Sequence, residues 1–171
     1  MTDCKGVTTS MCSNSPPEVG DGSPPVDASL YRCTTGKWQY LSFMRPDVAF
    51  AVNKLSQFMQ SPSLEHWKAV KRVLQYLKPS STSCLQIPSH FDTNMYMYAD
   101  VDWTGNPYDK ISTFGYILIL GPNSVCWSSK KQHLVDRSST EVEYKSVANV
   151  LSELTWVHNL LTEFANAKHF L

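Results

Sequence analysis

Apolar residues first take on a regular spacing at Ser29. Leu30, Cys33, Trp38, Leu41 and Met44 recur at helical intervals, with a break expected at Gly36. Arg45-Pro46-Asp47 reads as a helix start, because proline fits the first turn and an acid there meets the positive end of the helix dipole. Val48, Ala51, Val52, Leu55, Phe58 and Met59 then repeat at helical spacing. Ser61-Pro62-Ser63 ends that helix, and Ser63 is placed to cap a third one, whose apolar face is Trp67, Val70, Leu74 and Leu77 and which Pro79 closes. Past Thr82 the pattern becomes that of a strand. Met95, Met97, Ala99, Val101 and Trp103 alternate with Tyr96, Tyr98, Asp100 and Asp102. Turns at Gly105-Asn106-Pro107 and Gly121-Pro122-Asn123 separate two further strands, over 115–120 and 124–129. A long helix over 140–164 follows, opened by two overlapping capping boxes, Ser138 with Glu141 and Thr140 with Glu143. Its expected buried stripe is Val147, Val150, Leu151, Leu154, Leu161 and Phe164. The pattern predicts an α+β chain: a small helical segment over 29–80, then an incomplete sheet of three antiparallel strands and its helix over 91–171.

Residues 1–28 fit neither period. They hold seven Ser or Thr, three Gly, four Pro and no aromatic residue, so they are expected to be a disordered linker. The 171 residues suffice for one core and an appendage, not for two full domains. Fifteen Lys and Arg balance fifteen Asp and Glu, but unevenly. Eight bases face two acids over 29–90, and six bases face nine acids over 91–171. That division fits nucleic acid held by the first part and a cation by the second, or simply two solvated surfaces of opposite sign. No apolar run is long enough to cross a membrane, and residues 1–10 carry no secretory signal. Five scattered cysteines without a Cys-x-x-Cys pair suit a reducing compartment. The expected setting is intracellular, cytoplasmic or nuclear, with no membrane partner.

The chemistry lies in the carboxylates. Asp100 and Asp102 stand two apart at a strand end and point to one side, as solvated edge acids or as ligands of a cation. Helix phase places Glu143 on the expected apolar stripe, aimed at the sheet, while Glu141 is read as an outward-facing cap. The five histidines show no metal-ligand spacing, and no Ser or Cys has the surroundings of a nucleophile. Lys68, Lys71, Arg72 and Lys78 lie largely off the apolar face of their helix, and Lys130-Lys131 ends a strand. Each is a phosphate contact or a solvated cation.

Four motifs in order give these residues a context. Tyr98-Ala-Asp-Val-Asp-Trp-Thr-Gly105, Ser112-Thr-Phe-Gly-Tyr116, Trp127-Ser-Ser-Lys-Lys-Gln132 and Arg137-Ser-Ser-Thr-Glu-Val-Glu-Tyr144 resemble the ribonuclease H domain of Ty1/copia-type retrotransposon polyproteins. Upstream, Arg45-Pro-Asp-Val-Ala-Phe-Ala-Val-Asn53 and Glu65-His-Trp-Lys-Ala-Val-Lys-Arg72 are similar to the tail of the same family's reverse transcriptase. The resemblance covers about residues 28–164. It implies hydrolysis of the RNA strand of an RNA–DNA hybrid at a pair of Mg²⁺ ions. Asp100 matches the first-strand aspartate and Glu143 the helix glutamate, so both would be catalytic and metal-binding. Lys68, Lys71, Arg72, Lys130 and Lys131 would contact the nucleic acid.

The chain also departs from the family pattern. The family's third catalytic aspartate follows the long helix, whereas this sequence has no aspartate after Asp136. Glu153 and Glu163 lie roughly 15 and 30 Å along the helix from Glu143, too far to share an ion with it. The resemblance therefore implies a ribonuclease H-like catalytic set that is incomplete, with impaired activity. The remainder of the polyprotein, or another chain, is the expected completing partner. The alternatives are a non-catalytic nucleic-acid-binding remnant and a domesticated structural protein.

Overall fold

The first helix starts where Asp27 can hold it. The Asp27 carboxylate accepts hydrogen bonds from the amides of Ser29 and Leu30, at 2.8 and 3.3 Å, and satisfies two donors that the first turn leaves without partners. This is α1 (Ala28–Leu41), followed by α2 (Pro46–Ser56) and α3 (Leu64–Leu77). The structure, a computed structural model, describes residues 4–12, 17–83, 86–89, 92–105 and 110–167. The chain divides into two compact units, Met1–Leu85 and Gln86–Leu171.

In the first unit, Tyr31 and Trp38 of α1 meet Val48, Ala51, Val52 and Leu55 of α2 and Val70 and Val73 of α3 in one buried cluster. The face of α1 differs from the sequence expectation. Gly36 does not interrupt the helix, and the buried residues are Tyr31, Thr35 and Trp38, while Leu30 and Met44 are exposed. Thr35 enters the core because its hydroxyl donates to the carbonyl of Tyr31 at 2.9 Å, which satisfies the polar group inside the helix itself.

The linker expected over 1–28 is corrected by its described residues, which lie along the helices. The Val26 amide donates to Pro62 O, the Leu64 amide to Pro24 O, and the Val7 amide to Gln75 O. Met11 and Val26 pack against the core. The segment also closes around the start of α3. Ser63 Oγ donates to the Asp21 carboxylate at 2.7 Å, and the buried His66 completes a capping box by accepting from the Ser63 amide through Nδ1. With Nδ1 as acceptor, Nε2 carries the proton and donates to Glu18 O at 2.8 Å. Composition identified an aperiodic stretch correctly, but aperiodic chain can still place its backbone groups on a neighbouring helix.

Arg45 and Asp47 form the other tie of this unit. Arg45 donates to both oxygens of Asp47, at 2.9 and 2.6 Å, and to Ser80, while the Tyr76 hydroxyl donates to Asp47 at 2.8 Å. The guanidinium holds the Asp47 carboxyl below its usual range, helped by Tyr76 and opposed by partial burial. A folded-state pKa below the unfolded one stabilises above the unfolded value and is lost as pH falls through the folded value. Acid unfolding of this unit is expected to steepen below about pH 4. In Asp47→Asn that limb should flatten in a circular-dichroism titration.

The second unit carries β1 (Met95–Asp102), β2 (Thr113–Leu120), β3 (Asn123–Lys131) and α4 (Ser139–Ala167). The sheet is antiparallel in the order β1-β2-β3. Gly121, at φ +57°, turns β2 into β3, and a bulge shifts the register there, so that Leu118 faces Cys126 but Ile119 faces Ser124. Met97, Val101, Phe114 and Leu118 share the face that α4 covers, with Phe114 and Leu118 buried. The face away from α4 carries Tyr96 and Tyr98, which are exposed, and Ile117 and Trp127, which are half-buried. This α+β arrangement fits an incomplete ribonuclease H-like fold.

The phase of α4 is a second correction. Val142, Ser146 and Val157 are buried; Val150 and Leu154 of the expected stripe are half-buried, as are Glu153 and Leu160, whereas Val147, Leu151, Leu161 and Phe164 are exposed. Apolar residues are spread around much of this helix, so periodicity admits more than one face, and docking onto the sheet selects among them. The turn expected around Asn106-Pro107 falls on 106–109, outside the described residues. Among the described residues, no helix is long and apolar enough to cross a membrane.

Candidate metal and nucleic-acid site

β1 pairs residue by residue with β2, so Asp100 lies beside Gly115 and then Ser129, and Asp102 beside Thr113 and then Lys131. Both acids share the face away from α4 with Tyr96 and Tyr98, and both are exposed. Asp100 Oδ1 accepts from the Val101 amide at 2.9 Å, a local bond that leaves the other oxygen available to solvent or a ligand. The Asp102 carboxylate folds back over the turn that follows. Its position against Gly105 is so close that a Cβ there would overlap it, and Thr104 supports the turn at φ +54°. Glycine at 105 is what leaves room for the acid.

Glu143 belongs to α4. It is exposed in the first turns of α4, about 100° round the helix from buried Val142, and α4 lies on the covered face of the sheet. It is therefore not on the buried stripe that helix phase predicted. Among the described residues, no group of three or more His, Cys, Asp or Glu side chains is arranged to hold a metal ion. Asp100 and Glu143 occupy an open strand end and an exposed helix start, and no described interaction joins them.

The predicted cations fall into two sets. Lys68 pairs with Glu65 at 2.6 Å, one turn back on the exposed side of α3, and Lys71 lies 6.0 Å above the Trp67 ring. Arg72 is held within its own unit, donating to Thr9 Oγ1 at 2.8 Å with its Nε buried. In the other unit, Lys130 is exposed beside Phe114, and the half-buried Lys131 lies in the same row as Asp102 on the face away from α4.

The retrovirus-related Pol polyproteins from transposons RE2 and RE1 of Arabidopsis thaliana are each 45% identical to this chain over 163 residues, 95% of it. The Pol polyprotein from transposon TNT 1-94 of Nicotiana tabacum is 34% identical over 134 residues, 78% of the chain. The chain belongs to the copia-type retrotransposon Pol polyproteins. It spans 11% of the length of the RE2 and RE1 polyproteins and 10% of that of TNT 1-94. No family model matches the chain, and no solved structure matches it.

Within this copia-type chain, the most enclosed carboxylate is one that sequence reading passed over. The Asp136 side chain is buried, receives the Lys145 ammonium on Oδ1 at 2.5 Å, and keeps Oδ2 without a partner among the described residues. Lys145 also pairs with Glu141 at 2.8 Å. Asp136, then Glu141, push the ammonium above its ordinary pKa, and Lys145 in turn holds the Glu141 carboxyl low. Glu141 further accepts from the Arg137 amide at 3.0 Å, and Ser138 Oγ accepts from the Glu141 amide at 3.2 Å. This is the first of the two predicted boxes, reaching one residue further back. The second falls inside the helix, which already begins at Ser139. Nine residues separate Asp136 from Lys145, and no periodic signal links a loop acid to a helical lysine.

Among the described residues, the carboxylates offer fewer ligands than two Mg²⁺ ions need. Such a centre needs several oxygen ligands converging on sites ~3.5–4 Å apart. Asp100 and Glu143 offer two exposed carboxylates on separate elements, and Asp136 is already engaged by an ammonium.

Proposed function

We propose that this copia-type chain is a ribonuclease H-related piece that engages RNA–DNA hybrids through their phosphates and is impaired in hydrolysing the RNA strand. The reading rests on the carboxylate count: Asp100 and Glu143 are exposed, and among the described residues no group of three or more His, Cys, Asp or Glu side chains is arranged to hold a metal ion. Hybrid binding needs less than hydrolysis does. Lys68 and Lys71 project from the exposed side of α3, where each can neutralise a phosphate and release condensed counterions. Lys130 and Lys131 would add contacts from the strand end, whereas Arg72, committed to Thr9, serves the fold.

The test is a labelled RNA–DNA hybrid incubated with the purified chain in Mg²⁺ or in EDTA, with binding followed by fluorescence anisotropy. Binding should weaken steeply with salt, and in the double variant Lys68→Ala/Lys71→Ala the slope of log K against log salt should fall by about 1 to 2. The RNA strand should stay intact in both buffers. Mg²⁺-dependent cutting that Asp100→Asn abolishes would overturn the impaired-activity reading, and salt-independent binding would overturn the phosphate contacts.

A further inference from the structure

Two arginines of the helical unit present the same edge of the guanidinium, and only one of them meets an oxyanion there. Arg45 donates from Nε and Nη2 to the two Asp47 oxygens, at 2.9 and 2.6 Å. Carboxylates and phosphates are both gripped through this pair of parallel bonds. On Arg72, Nη2 donates to Thr9 Oγ1 at 2.8 Å, while Nε is buried with no hydrogen-bond partner. Among the described residues, no carboxylate stands within ion-pair distance of Arg72. A neutral hydroxyl thus takes half of an edge whose geometry suits two anionic oxygens.

Arg72 belongs to the cation row of α3. Lys68 lies one turn before it and Lys71 beside it, and both lysines are exposed. About 6 Å of helix axis separates residues 68 and 72, so three positive charges gather within little more than one turn. The segment before α1 covers the last of them, and that cover is lightly held. The Val7 amide reaches Gln75 O at 3.4 Å and Ser10 Oγ reaches Asp47 O at 3.3 Å, both long for hydrogen bonds, and Thr9 itself is exposed. Met11, packed against the core, anchors the segment just beyond.

We propose that Thr9 gates this cation row. It holds the Arg72 edge while the chain is free, and a backbone phosphate of an RNA–DNA hybrid takes Nε and Nη2 in its place as residues 4–10 lift from α3. This exchange rests on the hybrid-binding reading above and extends it: the arginine that serves the fold in the free chain joins Lys68 and Lys71 in the bound one. A charged acceptor replaces a neutral one, Nε gains a partner, and a further condensed counterion is released.

Substitutions at Thr9 test the gate without altering the cations. Thr9→Val removes the hydroxyl and should tighten binding of a labelled RNA–DNA hybrid about three- to tenfold, with the salt slope unchanged because the bound state is the same. Thr9→Asp gives Arg72 an oxyanion of its own, as Asp47 does for Arg45. It should weaken binding and make the slope of log K against log salt shallower by about 1. Thr8→Asp adds the same charge one residue away and should keep the wild-type slope. In an Arg72→Gln background, Thr9→Val should no longer change the affinity. Wild-type affinity and slope in both Thr9 variants, with Lys68→Ala/Lys71→Ala still weakening binding, overturn the gate alone. So does a slope in Thr8→Asp as shallow as that in Thr9→Asp, which marks diffuse charge rather than a contact. A chain that binds no hybrid overturns the gate together with the reading it rests on.

Discussion

Tyr31→Ala is expected to cost the helical unit about 3–5 kcal/mol, the range for emptying a buried aromatic site. Tyr31 is fully buried among α1, α2 and α3, and its ring lies 6.4 Å from that of Trp67. Its hydroxyl donates to Leu55 O at 2.9 Å inside the core, so the side chain joins α1 to α2 by shape and by a polar bond together. Burial also pushes its phenol well above the ordinary tyrosine range. Tyr31→Phe separates the two contributions. Removing the hydroxyl should cost about 1 kcal/mol, because the Leu55 carbonyl still accepts from the Phe58 amide just past α2. Urea unfolding followed by the fluorescence of Trp38 and Trp67 should order the variants Ala, Phe, wild type. Equal losses for the two substitutions would mean that the hydrogen bond, not the ring, carries the site.

Leu118→Ala should cost the sheet unit about 2–5 kcal/mol. Leu118 is the fully buried side chain at the middle of β2, between Met97 on β1 and Cys126 on β3, and it lies on the face that α4 covers. A unit of three strands and one helix has a small reserve of buried apolar surface, so a loss of this size should remove most of its protection. Amide hydrogen exchange should show β1, β2 and β3 approaching unprotected rates while α1, α2 and α3 keep theirs. Retained protection in β2 would mean that the covered face is held by residues other than this leucine.

Much of the candidate chemistry is legible in the sequence at the level of elements. Strand alternation is enough to put Asp100 and Asp102 on one face, because a period of two leaves no freedom of phase. Glu143 is different. Its setting depends on which of several apolar stripes of α4 docks, and Val142, Ser146 and Val157 prevail over Val147, Leu151 and Leu161. Arg72 looked solvated because it lies off the apolar face of α3, yet the segment carrying Thr9 returns to it. Asp136 had no signal, since its partner Lys145 is set by the angle at which the chain enters α4.

The sequence by itself determined the order of elements, the change from helical to strand period, the capping residues Ser63 and Ser138, and the kinship with copia-type polyproteins. Each rests on interactions between near neighbours in the chain, or on residue identity alone. Tertiary structure decided the buried faces of α1 and α4, the docking of the described residues before α1 on the helices, and the burial of Asp136 against Lys145. These depend on which surfaces meet. A helix with apolar residues on several sides, or an irregular segment with unsatisfied amides, acquires its inside and outside only from the partner it packs against.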